Sequence, residues 1–281
     1  MDRSDLIDAL DEIIYVSDPD TYELLFANRH CQQLMATTDY LGKTCYQVLQ
    51  GKDAPCEFCT NAQLCEEKFF TWEHTNQMMR KHFLLKDKLI VWKGRPARLE
   101  IALDITLREN LSQDVQQKLQ TEQTLVECVR ALTVAENLDS AMQAVLSGLA
   151  DFYRADRAYI LELDPSIGIA SNTFEWCAPG IEPQRAVLQN LDVTLLPFWY
   201  QAMRSRTLVT VDDVETLRDR FPLEYGRMHR QGIHHLIAAP FGLHEETIGY
   251  LGMDNPSDTM QDLSLLESLS YFVCNELFKR R

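Results

Sequence analysis

The sequence predicts an α+β chain of two domains, each a central antiparallel sheet flanked by helices, joined by a long amphipathic helix. Three observations carry this. The chain has 281 residues with 46% hydrophobic side chains, which suits two ordinary cores. Short strand-like runs fall into two groups, one before residue 106 and one after residue 156. Between the groups, residues 106–133 contain neither Gly nor Pro.

In the first group, residues 4–14 open with Ser4 as an N-cap and place Leu6, Ile7, Leu10, Ile13 and Ile14 at helical spacing. Residues 14–17 and 22–27 read as a strand hairpin, turned by Asp18-Pro19-Asp20. Short helical material follows from Asn28 to Met35, then a Cys-rich segment over 43–65. Three further strand-like runs, 69–74, 82–92 and 98–105, close the group. A turn is predicted at Lys86-Asp87, and Gly94-Arg95-Pro96 separates the last two runs.

Over 106–133, Leu107, Leu111, Val115, Leu119, Val126, Val129 and Leu132 recur at spacings of three, four or seven among polar residues. This predicts an amphipathic helix or short coiled coil. Its stripe either docks on its own domain or packs against a second copy. A linker helix has little else to bury itself against, which favours a homodimer through helical linkers.

The second group starts with a helix over 136–154, with Leu138, Met142, Val145, Leu146 and Leu149 on one face. Strands are predicted at 157–164 and 169–176, and Pro179, Pro183 and Pro197 break the middle region. A strand at 207–211, mostly helical residues 214–231, and strands at 233–240 and 247–254 follow. The closing helix, 262–278, carries Leu263, Leu266, Leu269, Val273 and Leu277 on its stripe. The boundaries are therefore drawn at 1–108, 109–134 and 135–281.

The formal net charge is −15. Residues 1–110 carry 13 basic and 18 acidic side chains, and residues 111–281 carry 14 and 24. Neither half holds the clustered Lys and Arg that nucleic acid or an anionic membrane surface requires. The acidic start Met1-Asp2-Arg3-Ser4-Asp5 is no secretory signal, and no apolar run approaches the ~20 residues of a membrane span. A cytoplasmic location is expected.

Of the eight cysteines, Cys45, Cys56, Cys59 and Cys65 fall together. The Cys56-x-x-Cys59 pair follows Pro55, and such a pair reaches one metal from a tight turn. Three readings stay open: a zinc or iron–sulfur site, a redox-active pair, or buried small hydrophobes and a shaped loop. A second C-x-x-C pair, the stronger zinc signature, is absent.

No catalytic motif is visible. Ser166–Gly168 lacks a nucleophile-elbow context, and no H-E-x-x-H or Gly-rich phosphate loop occurs. His234 and His235 are adjacent, so in a strand they face opposite ways. The chain is not expected to be a self-sufficient enzyme.

Residues Ile14-Tyr15-Val16 with Asp18, then Leu24-Leu25-Phe26-Ala27-Asn28, resemble the opening hairpin of a PAS domain. Ala102-Leu103-Asp104-Ile105-Thr106 resembles the PAS exit strand. The resemblance implies that Asp104, Ile105 and Thr106 relay a signal from sheet to outgoing helix. The second half resembles a GAF domain. The matching phrases are Ala155-Asp156-Arg157-Ala158-Tyr159-Ile160, residues 171–177, residues 232–240 and Ile248-Gly249-Tyr250-Leu251-Gly252-Met253-Asp254-Asn255-Pro256.

Together these resemblances imply a sensor and dimerisation module that binds a small ligand or responds to redox state. It would regulate a C-terminal output domain, most often a GGDEF diguanylate cyclase that makes cyclic-di-GMP and less often a histidine kinase. No output motif occurs in these residues, so an input fragment is expected, its last helix feeding the output. The alternatives are a metal or redox switch at the cysteines and a ligand-free interaction scaffold.

Aromatic and polar residues expected at a PAS pocket are Asn28, Tyr46, Trp72, His74 and Trp92. Those expected at a GAF pocket are Tyr159, Asn172, Trp176, Cys177, Trp199, Tyr200 and His234. Cys177 is followed by Ala178-Pro179, where a bilin-linking Cys would have His next to it, so no chromophore is expected. The signature of cyclic-nucleotide-binding GAF domains is also absent.

Overall fold

The computed structural model describes residues 3–35, 39–243, 246–257 and 262–279. The chain divides into two compact units, Met1–Gln116 and Gln117–Arg281.

The first unit contains α1 (Arg3–Asp8), β1 (Ile13–Ser17), β2 (Leu24–Ala27), α2 (Arg29–Leu34), α3 (Cys45–Gln50), β3 (Phe70–Asn76), β4 (Lys81–Trp92) and β5 (Arg95–Asp104). Its strands form one antiparallel sheet in the order β2-β1-β5-β4-β3. Register aligns Asp87 with Glu100 and Glu100 with Tyr15, so these polar side chains sit side by side on one face. The neighbouring row on that face is Trp72, Leu85, Ala102 and Ile13.

Three local expectations are corrected. The first helix ends at Asp8, and Ile13 and Ile14 belong to β1. All five β1 residues are buried, and the apolar run Ile13–Val16 mimics a helical stripe over so short a length. The turn expected at Lys86-Asp87 is absent: β4 runs straight through, and Asp87 is 0% exposed. Its Oδ2 accepts from Thr60 Oγ1 at 2.7 Å and from Trp72 Nε1 at 2.7 Å, so the carboxyl is paired inside the sheet. Arg95 and Pro96 lie inside β5, and only Lys93 (φ 49°) and Gly94 (φ 83°) form the hairpin turn.

α4 (Thr106–Val134) is 29 residues long, about 43 Å of helix. Asp104 Oδ1 accepts from the Thr106 N–H at 3.0 Å and its hydroxyl at 2.6 Å, holding the start of α4 to the end of β5. Leu107, Leu111, Val115, Leu119 and Val126 are exposed, whereas Cys128 and Leu132 are buried in the core of the second unit.

The second unit continues with α5 (Leu138–Tyr153), β6 (Arg157–Asp164), β7 (Ile169–Cys177), β8 (Leu191–Asp192), α6 (Pro197–Ser205), β9 (Val209–Val211), α7 (Pro222–Arg230), β10 (Leu236–Leu243), β11 (Glu246–Asp254) and α8 (Ser264–Lys279). Six antiparallel strands run in the order β8-β7-β6-β11-β10-β9. One face of the sheet packs Leu251 and Met253 against Met142 and Leu146 of α5 and Leu266 and Leu269 of α8. The other face packs Leu236, Ala238 and Tyr250 against α6, α7 and the turn before α7. Pro197 opens α6 where a break was expected, and Pro222 opens α7. Proline fits the first helical turn because its missing N–H has no partner there anyway. Among the described residues no helix is long and apolar enough to cross a membrane.

Asn28 ties α1, β1 and α2 together. Its Oδ1 accepts from Ile14 N at 3.1 Å and Cys31 N at 3.0 Å, and its Nδ2 donates to Ile7 O at 3.2 Å and Glu12 O at 2.9 Å. Every hydrogen-bonding position is used, so its role is structural. Asn28→Asp would set carboxyl oxygen against two carbonyls. The expected loss is about 2–4 kcal/mol of first-unit stability, read by urea unfolding followed through Trp72 and Trp92. Asn28→Asp with an unchanged midpoint contradicts that role.

Candidate functional site

Arg157 is the first residue of β6, an interior strand between β7 and β11, and is 3% exposed. Its Nη1 donates to Asp254 Oδ2 at 2.6 Å and its Nη2 to Glu182 O at 2.9 Å, while Nε faces Glu175 Oε1 at 3.5 Å. Glu175 also accepts from the backbone N–H of Gln184 at 2.9 Å and of Arg185 at 2.8 Å. One guanidinium thus joins β6, β7, β11 and the segment after β7. Burial pushes the Asp254 carboxyl up, and Arg157 pulls it back down.

Beside this network lies a cavity of about 100 Å³, on the sheet face that α6 and α7 cover. Leu161 and Leu163 of β6, Leu191 of β8, Met228 of α7 and Leu236 of β10 supply apolar wall. Tyr159, Trp199 and Tyr250 supply aromatic surface, and the Trp199 and Tyr250 rings meet edge to face at 5.6 Å. Gly252 gives Tyr159 its room, because a Cβ there would lie 2.5 Å from the Tyr159 ring.

Two polar groups in the lining stand out. Glu224 is 2% exposed; its Oε1 accepts from Phe198 N at 2.8 Å, and its Oε2 has no hydrogen-bond partner among the described residues. Tyr250 is 4% exposed, and its hydroxyl is likewise unpartnered. Burial pushes the Tyr250 phenol up to about 12, so it stays a neutral donor and acceptor.

Of the residues expected at this pocket, Tyr159 and Trp199 line the cavity. The others do not. Asn172 is fully buried and donates to Glu175 Oε1 at 3.2 Å. Trp176 packs toward the α5–α8 core, and Cys177 lies opposite Arg157 in the β6–β7 register. Tyr200, next to Trp199 on α6, points to the surface beside Arg204. His234 is exposed ahead of β10, where its N–H donates to Asn255 Oδ1 at 2.7 Å. Arg157, Glu224, Tyr250 and Asp254 were not singled out from sequence. Glu224 lies between Arg220 and Arg227 in a stretch that reads only as mostly helical, and its burial follows only from how α7 docks.

In the first unit, two hollows of about 30 Å³ each share Tyr15, Leu49, Gln50, Leu85 and Glu100. Tyr46, Trp72, Cys45, Cys56 and Cys59 line one, and His74 lines the other. Asn28 is structural, and Trp92 packs on Phe26 at 5.6 Å away from both hollows. Cys65 points elsewhere, its Sγ 3.8 Å from Lys68 O. Among the described residues no group of three His, Cys, Asp or Glu is placed to hold a metal. Cys45, Cys56 and Cys59 thus face one hollow, and Cys65 lies outside it. Cys45 is buried on α3, and burial pushes its thiol up to about 12, which keeps it neutral. The Cys59 N–H donates to Cys56 O at 3.0 Å, closing a four-residue turn.

Below these thiols, Arg98 pairs with Glu100 and, at 3.1 Å, with Asp87. Its Nη1 also lies 3.7 Å from Cys59 Sγ. One cation serves two buried carboxyls. Burial pushes Glu100 up to about 8, with Arg98 opposing and Asp87 adding to the rise.

Residues 135–273 match the GAF domain family. A solved structure described as the phycoerythrobilin-bound GAF domain from a cyanobacterial phytochrome is similar to this chain at 15% identity. It covers 58% of this chain and 100% of that chain, with a TM-score of 0.47. No curated protein matches the chain.

The Glu100 shift predicts a pH dependence. Its folded value, about 8, lies above the ~4.3 of an unfolded glutamate. The folded unit therefore binds the proton more tightly, and this stabilisation is complete below the unfolded value. It declines as pH rises and is gone above the folded value, at up to about 1.4 kcal/mol per pH unit. Urea midpoints of the first unit should fall between pH 5 and 8 (roughly the window in which the unfolded group is ionised). Glu100→Gln should flatten that fall, and equal slopes in both proteins contradict the assignment.

Proposed function

We propose that this chain is a sensory module whose GAF domain binds a small, largely apolar molecule between the sheet and helices α6 and α7. One observation carries the reading: the residues that line an apolar and aromatic cavity carry four buried polar atoms, Glu224 Oε2, the Tyr250 hydroxyl, Asp254 Oδ1 and Arg157 Nε, that have no hydrogen-bond partner among the described residues. Buried polar atoms are ordinarily paired, and a ligand can supply the missing partners.

In the finer reading the first unit is a PAS-like domain and α4 is the signalling helix. Asp104, Ile105 and Thr106 couple sheet to helix, consistent with the contacts of Asp104 and Thr106 at the start of α4. Two copies associate through α4, whose exposed Leu111, Val115 and Leu119 follow one another at i, i+4 spacing. Ligand binding shifts the population between two packings of α4 and α8, and these regulate a diguanylate cyclase or histidine kinase output. The output rests on family resemblance alone.

A second reading, a dithiol switch at Cys56 and Cys59, is favoured by the turn that joins them. Such a turn holds its end Cα atoms within about 7 Å, close to the disulfide range.

Native mass spectrometry of the freshly purified protein tests these readings together. The sensor reading expects a dimer carrying one small organic molecule per chain, lost in Leu191→Trp, which fills the cavity. A clean dimer without any bound molecule contradicts it and favours the ligand-free scaffold. Peroxide treatment distinguishes the dithiol reading: the two thiols lose two hydrogens, the peroxide is reduced, and Cys59→Ser abolishes the mass change.

A further inference from the structure

We infer that the cavity in the second unit selects a small amine, an apolar body bearing one protonated nitrogen, over neutral and acidic molecules of the same shape. The inference rests on the small-ligand reading above and goes beyond it by naming the ligand's chemistry.

Glu224 sets the polarity. Its Oε1 is committed to the Phe198 N–H at 2.8 Å, and its Oε2 has no donor among the described residues. No Lys or Arg among the described residues forms an ion pair with it. Arg157, the buried cation in the lining, is flanked by Asp254 at 2.6 Å and Glu175 at 3.5 Å; its Nε makes no hydrogen bond among the described residues, and Asp254 Oδ1 is a second acceptor there without a donor. A buried carboxyl left with an empty acceptor position favours a charged donor over a neutral one, because charge-assisted hydrogen bonds are the stronger.

The aromatic wall points the same way. Trp199 and Tyr250 meet edge to face beside Tyr159, and ring faces attract ammonium groups in a desolvated site. The Tyr250 hydroxyl, in the same lining and also without a partner among the described residues, can accept an N–H from a ligand. An acidic ligand would instead bring its charge against Glu224 and Asp254, and the cations in the lining are Arg157, held between Asp254 and Glu175, and Arg227, exposed at the surface of α7.

Calorimetric titration of the full chain with benzylamine, benzyl alcohol, benzoate and toluene reads this directly. Benzylamine should bind about tenfold or more tighter than benzyl alcohol, with benzoate weakest. Glu224→Gln should bring amine and alcohol to equal affinity. Glu224 also ties the start of α6, so Tyr250→Phe serves as the second variant; it should weaken the amine severalfold while keeping it ahead of the alcohol. Benzoate or toluene binding as tightly as benzylamine overturns the inference and leaves a pocket for small apolar molecules standing. An amine preference unchanged in Glu224→Gln also overturns it. If none of the four binds, both this inference and the small-ligand reading fail.

Discussion

A buried arginine shared between carboxyls is the constraint on which each sheet is organised. In the second unit Arg157 sits between Asp254 and Glu175, and in the first Arg98 sits between Asp87 and Glu100. Such groups contribute little net stability, since desolvation consumes most of the attraction. What they do is restrict alternatives. A one-residue slip of β6 against β11 would turn Arg157 to the other face and leave Asp254 buried without its cation. In the second unit the same contacts carry the segment after β7 across the sheet, because Glu175 accepts two of its N–H groups and Arg157 donates to Glu182. That segment leads into Leu188 and Leu191, which wall the cavity.

The sheets were legible in the sequence because their strands are bounded by turn chemistry and carry alternating or fully apolar runs. Helix α5 and helix α8 were legible for the corresponding reason, one apolar stripe each. What failed was local. Asp87 reads as a turn residue, yet it is a buried acceptor whose donors, Thr60 and Trp72, lie 27 and 15 residues away. Pro197 reads as a break, yet at the first position of a helix it fits without cost.

The site was less legible, again for a physical reason. Tyr159 and Trp199 could be picked by type, and both line the cavity. Asn28 and Asn172 were picked by type too, but their polar atoms are consumed by neighbouring backbone and by Glu175. Glu224 was hidden because a carboxylate in a short helical stretch with Arg220, Arg227 and Arg230 reads as surface, and burial of one helical position depends on the packing partner. Cysteine spacing grouped Cys45, Cys56, Cys59 and Cys65, whereas the first three line one hollow and Cys65 does not, since spacing reports reach and not direction.

The most direct test of this account is hydrogen exchange in Arg157→Met. The account predicts that amides of 169–177, 182–191 and 246–254 lose protection by about 10²–10⁴-fold, the equivalent of the ~3–5 kcal/mol expected when a buried pair loses one partner. Amides of the first unit should keep theirs. Unchanged protection in those three segments would contradict the claim that Arg157 holds the sheet and its cavity together.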